Sequence, residues 1–210
     1  SYYNVKADGS KDLITDMVTY QQNNKIERLE VEKTSDYNNA TKKYVGKSGI
    51  PTLQGGFGFD LAVKGFELNT TFSYSLGGYA YDGVYATLMS NNTPGSGNWH
   101  NDIENRWQKP GDVTDVPRFV LGQAAGPQNS SRYVHSTDHL RVKNLTLGFT
   151  LPDQWLTKLG VSKARLYFSG SNLLTWAKWD QYDPEVPVSG EVFCETPPMR
   201  TYSFGIEVSF

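Results

Sequence analysis

The fold is decided by the last ten residues, 201–210, which read TYSFGIEVSF. Apolar side chains occupy every second position, and serine, glycine or glutamate fills the positions between them. A period of two predicts a β-strand with one apolar face and one polar face. A strand of this kind at the chain terminus fits the last strand of a transmembrane β-barrel, which pairs with the first strand. It also fits the edge strand of a soluble β-sandwich.

Composition narrows the classes of protein that the chain can represent. Its 210 residues carry a net charge of −2, which gives no broad electrostatic attraction to nucleic acid. No run of about 18 apolar residues is present, so the sequence predicts no transmembrane helix. Strands of a membrane barrel alternate and are polar on average, so they are still possible. Cys194 is the single cysteine, which excludes an intrachain disulfide.

Alternation recurs along the chain and predicts five membrane-crossing spans. The predicted spans are 54–64, 66–76, 139–151, 161–174 and 199–210. Each has about the 9–11 residues that a tilted strand needs to cross a bilayer, or slightly more. Leu140 and Val142 are in the opposite phase to Leu145 and the residues after it, which predicts a β-bulge near 143–144.

The connections between these spans alternate in length. They are short at 65 and 152–160 and long at 77–138 and 175–198. Outer-membrane barrels have short periplasmic turns and long extracellular loops. The pattern therefore predicts an all-β chain that supplies about five spans of a large antiparallel transmembrane barrel, with its C-terminus in the periplasm.

The segments outside the spans are expected to be loops. Residues 1–53 are predicted to form an extracellular loop region with local hairpins, and 54–210 the barrel part. Residues 77–137 are interpreted as a long loop without regular structure, which on a barrel argues for an external, functional loop. The turn at 152–160 is predicted to hold a short helical turn.

Several motifs in the last third of the chain resemble one family. Residues 139–149 read HLRVKNLTLGF, 170–175 read GSNLLT, 182–185 read YDPE and 200–205 read RTYSFG. In this order and spacing they resemble the C-terminal signature of the SusC/RagA family of TonB-dependent outer-membrane transporters. The hairpin at 55–66 also resembles part of that family's barrel.

The resemblance implies a barrel of about 22 strands with a plugged lumen. It implies energy supplied through TonB, a SusD-like lipoprotein as an extracellular lid, and a dimer of receptor–lid pairs in the outer membrane of Bacteroidetes. The implied function is uptake of oligosaccharides or peptides, without a cofactor, a nucleic-acid partner or enzymatic activity. Five spans cannot close a barrel, and the sequence shows no plug or TonB box. The chain is therefore expected to be a C-terminal fragment whose remainder lies elsewhere.

Aromatic residues of the loops are the candidate contact sites. Tyr79, Tyr81, Trp99, Trp107 and Tyr133 are predicted to contact substrate or lid, because aromatic faces stack on sugars and pack against proteins. Packing within the loop is the alternative.

Three further aromatic residues are assigned to the membrane. Trp176 and Trp179 follow a span, where an interfacial aromatic belt is expected. The resemblance implies that Phe210 is the terminal aromatic residue read by the barrel-assembly machinery.

The polar residues give little sign of catalytic or metal chemistry. His100, His135 and His139 lack the spacing of metal ligands, so no metal site is predicted. The acidic residues around Pro184, which are Asp180, Asp183 and Glu185, are interpreted as a turn with solvated carboxylates rather than an ion site. The sequence contains no nucleophile elbow, phosphate loop or cysteine pair.

A soluble glycan-binding β-sandwich is the alternative to the barrel. In such a fold the apolar faces of the strands would form a core and the polar faces would contact water. Dependence on detergent separates the two hypotheses, because a sandwich stays monodisperse in plain buffer.

Overall fold

A computed structural model of the chain describes residues 1–23, 26–34, 36–90, 97–118, 129–156 and 160–210. The described residues form two compact units, Ser1–Lys47 and Ser48–Phe210. Each unit has its own sheets, and the long strands all belong to the second unit.

The first unit is a small antiparallel sheet with one helix. Its elements are β1 (Tyr2–Val5), β2 (Lys11–Ile14), α1 (Met17–Asn23), β3 (Arg28–Val31) and a 3₁₀ turn at Tyr37–Asn39. The strand order is β2-β1-β3, so β1 is central. Gly9 has φ 84°, which suits the tight turn between β1 and β2. Strands β1 and β2 form a hairpin, and the β1–β3 pairing adds a contact between more distant segments. The assignment of residues 1–53 to an extracellular loop region stays a prediction.

Among its described residues, the second unit contains ten helices and strands besides 3₁₀ turns. They are β4 (Leu53–Val63), β5 (Phe66–Leu76), β6 (Tyr79–Asp82), α2 (Gly83–Leu88), β7 (Val134–Ser136), β8 (His139–Thr150), α3 (Asp153–Leu156), β9 (Lys163–Ala177), β10 (Glu191–Val192) and β11 (Thr201–Ser209). Five long strands form one antiparallel sheet in the order β11-β9-β8-β5-β4. These strands lie within a few residues of the five predicted ranges, and the prediction of an all-β, antiparallel arrangement is confirmed.

The long sheet separates apolar from polar side chains as its period of two requires. Rings stack across neighbouring strands on the apolar face, with centroids 4.9 Å apart for Phe57 and Phe72 and 4.4 Å apart for Phe66 and Phe149. Phe57 and Phe66 remain exposed, and residue Phe204 on β11 is 81% accessible. Soluble monomers rarely expose a contiguous apolar face of this size, whereas a lipid-facing barrel wall requires one.

Strand β8 contains the predicted bulge, which is confirmed. Its register on both neighbours skips Lys143 between Val142 and Asn144. The change of phase keeps Val142 and Leu145 on the same apolar face. The hydroxyl of Thr70 on β5 donates to the main-chain carbonyl of Asn144 over 3.2 Å. This bond satisfies an acceptor beside the bulge, where water would be absent in a bilayer.

The segment between β5 and β8 is more ordered than predicted. It contains β6, α2, β7 and 3₁₀ turns at Asn101–Asn105 and Ser131–Tyr133. Strand β6 lies between β7 and β10, and β10 runs parallel to it. The prediction of a loop without regular structure was therefore wrong, because a buried apolar cluster orders this segment. Residues 91–96 and 119–128 of that prediction lie outside the described residues.

The short connections agree with the predicted turns. Lys64 and Gly65 have φ values of 48° and 87°, as a tight two-residue turn between β4 and β5 needs. Helix α3 supplies the predicted helical turn between β8 and β9. Residues 157–159, which were part of that prediction, lie outside the described residues. Across the described ranges, no helix is both long and apolar enough to cross a membrane.

Candidate ligand-binding cleft and its arginine clamp

The polar face of the long sheet carries a buried arginine. Arg141 on β8 directs its guanidinium at two carboxylates of the segment that follows β9. Its Nη1 donates to Glu185 over 2.9 Å, and its Nη2 contacts both oxygens of Asp183 at 2.8 and 2.7 Å. Lys143 adds a contact of 2.6 Å to Glu185. We call Arg141, Lys143, Asp183 and Glu185 the Arg141 clamp.

Burial distinguishes the clamp from an ordinary surface ion pair. The side chain of Arg141 is only 3% exposed. The segment after β9 returns to the polar face of the sheet, so Asp183 and Glu185 lie in a turn as predicted but are paired with Arg141, and their side chains are 20% and 27% exposed rather than fully solvated. Glu185 also lies 3.5 Å from the hydroxyl of Ser73 on β5. One segment is thus attached to the polar side of two strands.

A cleft of about 370 Å³ lies beside the clamp. Asp82, Tyr85 and His100 contribute to one wall, and residues from Gln181 to Pro198 line most of the other. His100 Nε2 and Gln181 Oε1 lie 3.0 Å apart, which connects the two walls. The cleft therefore depends on where the segment after β9 is held.

The wall formed by α2 is organised by one buried carboxylate. Asp82 is 2% exposed and caps α2 by accepting a hydrogen bond from the Tyr85 amide over 2.8 Å. Its other oxygen accepts from Trp179 Nε1 over 3.3 Å. The Tyr85 hydroxyl in turn donates to Asp102 over 2.7 Å. These hydrogen bonds fix the N-terminus of α2 and the side chains of Trp179 and Tyr85, which hold this wall of the cleft in place.

Two tyrosines that line the cleft have a raised pKa. Burial raises the pKa of Tyr85, and its hydrogen bond to Asp102 adds to the increase. Burial also raises the pKa of Tyr182, with a smaller contribution from the nearby Asp82 carboxylate. The Tyr85 hydroxyl is used on Asp102 and the Tyr182 hydroxyl is buried, so these residues contribute uncharged aromatic surface to the cleft.

Sequence comparison relates the chain to TonB-dependent receptors. No protein-family model matches the chain. TonB-dependent receptor P3 of Formosa agariphila is 31% identical over 192 residues, which is 86% of this chain and 18% of that protein. TonB-dependent receptor SusC of Bacteroides thetaiotaomicron is 27% identical over 198 residues, or 91% of this chain and 18% of SusC.

Solved structures give the same result. The RagAB peptide importer in its closed-closed state matches 98% of this chain and 20% of the compared chain, with a TM-score of 0.67 and 26% identity. A RagAB peptide transporter structure matches 89% with a TM-score of 0.68 and 27% identity. The chain belongs to the SusC/RagA family of TonB-dependent receptors. It spans about a fifth of the length of these relatives.

Membership of the SusC/RagA family explains the long sheet. Its five antiparallel strands are part of the β-barrel of such a receptor, with the apolar face outward. The polar face, which carries the Arg141 clamp, therefore faces the interior of the barrel.

Two of the five predicted contact residues lie in one aromatic cluster of this receptor segment. The rings of Tyr81 and Tyr133 have centroids 6.2 Å apart, and Tyr133 packs at 6.1 Å from Tyr85. Tyr133 is 9% exposed, so its ring is engaged in packing within the loop region. This burial favours the packing alternative for Tyr133, while its predicted contact with substrate or lid stays a prediction.

The remaining three predicted contact residues are half-buried. They are Tyr79, Trp99 and Trp107. The Trp107 amide donates to the Val116 carbonyl over 2.9 Å, which holds its loop against the cluster. Among the described residues that line the cleft, none belongs to the five predicted ones.

The predicted membrane residues differ in their surroundings. Trp176 lies on β9 and is 54% exposed, as an interfacial belt residue would be. Trp179 instead stacks on His135 at 3.6 Å and packs against the aromatic cluster. The interface assignment stays a prediction for both residues, and the packing of Trp179 shows that its ring also contributes to the loop cluster. Phe210 is highly exposed, and its role in assembly stays a prediction.

Several residues of the cleft were missed by the sequence interpretation. Asp82 before Gly83 carried a usable signal, because aspartate is a preferred N-cap residue. Residues 182–185 were noted as a motif, but their arginine partner was not foreseen. Within the described ranges, no group of three or more His, Cys, Asp and Glu side chains is placed to hold a metal ion.

Proposed function

We propose that the chain forms part of the barrel wall of a TonB-dependent nutrient importer in the outer membrane. The observation that carries this proposal is the long sheet, which has an exposed apolar face and a polar face folded against its own loop. Similarity to SusC and to the RagAB peptide importer supports transport rather than catalysis.

The proposal also gives the barrel strands an orientation across the outer membrane. Residues 54–210 form the barrel part, and 1–53 form an extracellular loop region. The long connections lie outside the cell, and Phe210 lies at the periplasmic rim. Strands in the remainder of the receptor pair with the outer edges of β4 and β11, since exposed edges are not tolerated in lipid.

Transport uses partners beyond this chain. A SusD-like lipoprotein acts as a lid over the extracellular side, and two receptor–lid pairs form a dimer. The substrate is captured between lid and barrel, after which TonB displaces the plug. The cargo is an oligosaccharide or a peptide. The RagAB structures are described as a peptide importer, which supports testing peptides first.

Uptake by the bacterium that carries the gene tests the proposal. Cells with and without the full receptor gene are given fluorescent tryptic casein peptides or fluorescent dextrins. Loss of uptake of either probe on deletion of the receptor, and again on removal of TonB, is the expected result. Unchanged uptake of both probes would contradict import of these cargoes.

Fractionation provides a second test of the same proposal. The full receptor is expected in the outer membrane and should need detergent to remain monodisperse. A protein that is monodisperse in plain buffer would instead support the soluble glycan-binding β-sandwich.

A further inference from the structure

The Arg141 clamp attaches the segment that forms most of one cleft wall. Cleft residues from Gln181 to Pro198 all follow β9 in the chain, whereas Arg141 lies on β8. The carboxylates of Asp183 and Glu185 line the cleft, but Arg141 itself does not. Any effect of Arg141 on a ligand in the cleft must therefore act through the segment that it holds.

The positive and negative charges of the Arg141 clamp neutralise one another. Arg141 and Lys143 supply two positive charges, and Asp183 and Glu185 supply two negative charges. Both oxygens of Asp183 accept from the same guanidinium nitrogen. The formal sum is zero, so the clamp offers no net charge with which to attract a ligand. Its chemistry suits holding the segment in place.

The geometry also demands arginine. A guanidinium presents several N–H donors in a fixed plane, so it can contact two carboxylates at once. Asp183 reinforces this geometry by accepting a hydrogen bond from the Glu185 amide over 3.0 Å, which fixes the turn around Pro184. A lysine at position 141 would keep the charge but could not reproduce the paired contacts.

We propose that Arg141 is a positioning residue for ligand capture, which acts through Asp183 and Glu185 to hold the wall of the cleft. This inference rests on the proposed import function and adds that the cleft is a capture site with a preset shape. A preset site loses less conformational entropy when it binds. Release of the clamp should therefore weaken capture while barrel assembly is retained.

The chain offers a matched control for Arg141. Arg165 on β9 also projects from the polar face and contacts two carboxylates, those of Glu67 and Glu207. These partners are strand residues on β5 and β11 rather than cleft residues. Arg165→Met therefore removes a comparable ion-pair network without releasing the segment that follows β9.

The experiment uses the full receptor purified in detergent with its lipoprotein partner. The variants are Arg141→Met, the pair Asp183→Asn with Glu185→Gln, and Arg165→Met. Binding of tryptic casein peptides and of dextrins is measured by calorimetry. Trypsin cleavage after Lys178 and Arg200, which flank the segment, reports whether the wall is released.

The expected result is a split between the variants. Arg141→Met and the carboxylate pair should each weaken binding roughly tenfold or more and speed cleavage at Lys178. Combining them should add little, because both remove the same interaction. Arg165→Met should bind as the unmodified receptor does. Equal binding by Arg141→Met, or an equal loss in Arg165→Met, would overturn the inference.

Two further outcomes are also decisive. Should Arg141→Met fail to assemble, Arg141→Lys is measured instead, and unchanged binding by this variant would overturn the inference. If the unmodified receptor binds neither probe, the proposed capture of peptides or dextrins fails and the inference fails with it. If it binds but Arg141 has no effect, only the positioning role is lost.

Discussion

Arg141 and Arg165 lie on the same polar face and each contacts two carboxylates, but their surroundings differ. The Arg141 side chain is 3% exposed, and its carboxylate partners follow β9. The Arg165 side chain is 22% exposed, and its partners lie on β11, which pairs with β9, and on β5, which lies beyond β8 in the same sheet. One arginine holds a connecting segment, and the other joins strands that the hydrogen bonds of one sheet already hold.

The difference shows that an ion pair's effect depends on what else holds its two ends. Exposed pairs contribute about 0–1 kcal/mol, because water screens them and the side chains lose freedom. Removing one member of a buried pair costs about 3–5 kcal/mol, because the remaining charge is left without a partner. Arg141 should therefore matter for local structure far more than Arg165 does.

The largest expected effect follows the loss of Arg141. Arg141→Met should destabilise the second unit by about 3–5 kcal/mol, because Asp183, whose side chain is only 20% exposed, would keep its charge without the guanidinium partner. The free energy of unfolding is measured by denaturant titration of the full receptor refolded in bilayers. Arg165→Met is the control and should cost about 1 kcal/mol or less. Equal losses would show that burial does not separate the two arginines.

Two lysine substitutions, one on each face of β8, test whether the face that carries Arg141 and Arg165 points to the interior of the barrel. Leu147→Lys should cost about 2–4 kcal/mol if its side chain faces the bilayer interior. The neighbouring Thr146→Lys points to the polar face and should be nearly neutral. The folded fraction after membrane insertion is read from heat-modifiable electrophoretic mobility. A greater loss in Thr146→Lys would reverse the assignment of the faces.

The surroundings of Arg165 can be disturbed without removing its charge. The Arg165 guanidinium lies 5.5 Å from the centre of the Tyr167 ring. A Cβ atom at Gly205 on β11 would overlap that ring. Gly205→Leu should therefore cost about 1–3 kcal/mol through overpacking between β9 and β11. Adding Tyr167→Ala should recover much of the loss in the same denaturant titration, and failure to recover would place the strain elsewhere.

The smallest expected effect is a pH dependence of stability. Arginine stays charged over the pH range concerned, so this effect must come from another residue. Burial lowers the pKa of His135 from 6.5, partly offset by the Asp82 carboxylate. The unfolded chain then binds the proton more readily, so stability should fall as the pH decreases below about 6.5. Trypsin cleavage after Lys178 at pH 7.5 and 5.5 measures this change. His135→Asn should reduce the difference, and an unchanged difference would exclude His135 as its cause.

Local pattern was sufficient to predict the long sheet. Alternation at 66–76 and 201–210 places apolar side chains on one face, whatever the rest of the chain does. The phase change after Val142 likewise marks the bulge within a single strand. These features depend on neighbouring residues, so a single sequence contains the information that they require.

The cleft depends on contacts that local pattern does not contain. Arg141 and Glu185 are separated by 44 positions, and Trp179 reaches Asp82 across 97 positions. Strand β10 has two residues and pairs in parallel with β6, so it leaves almost no periodic signal. The place of Trp179 after a span predicted a membrane-belt position, and nothing in that position signals its hydrogen bond to Asp82 or its packing in the loop cluster.

The bulge at Lys143 also decides where β8 can change in length during evolution. Val142 and Asn144 pair with consecutive residues of β5, so deleting Lys143 would restore regular alternation and leave both halves of the strand on their present faces. A one-residue deletion away from the bulge would instead exchange inward and outward positions, so that Arg141 would point to lipid or Leu147 would point to the interior. Length changes elsewhere in β8 should therefore be accepted only in pairs, whereas the connections at its ends can lengthen by any number of residues.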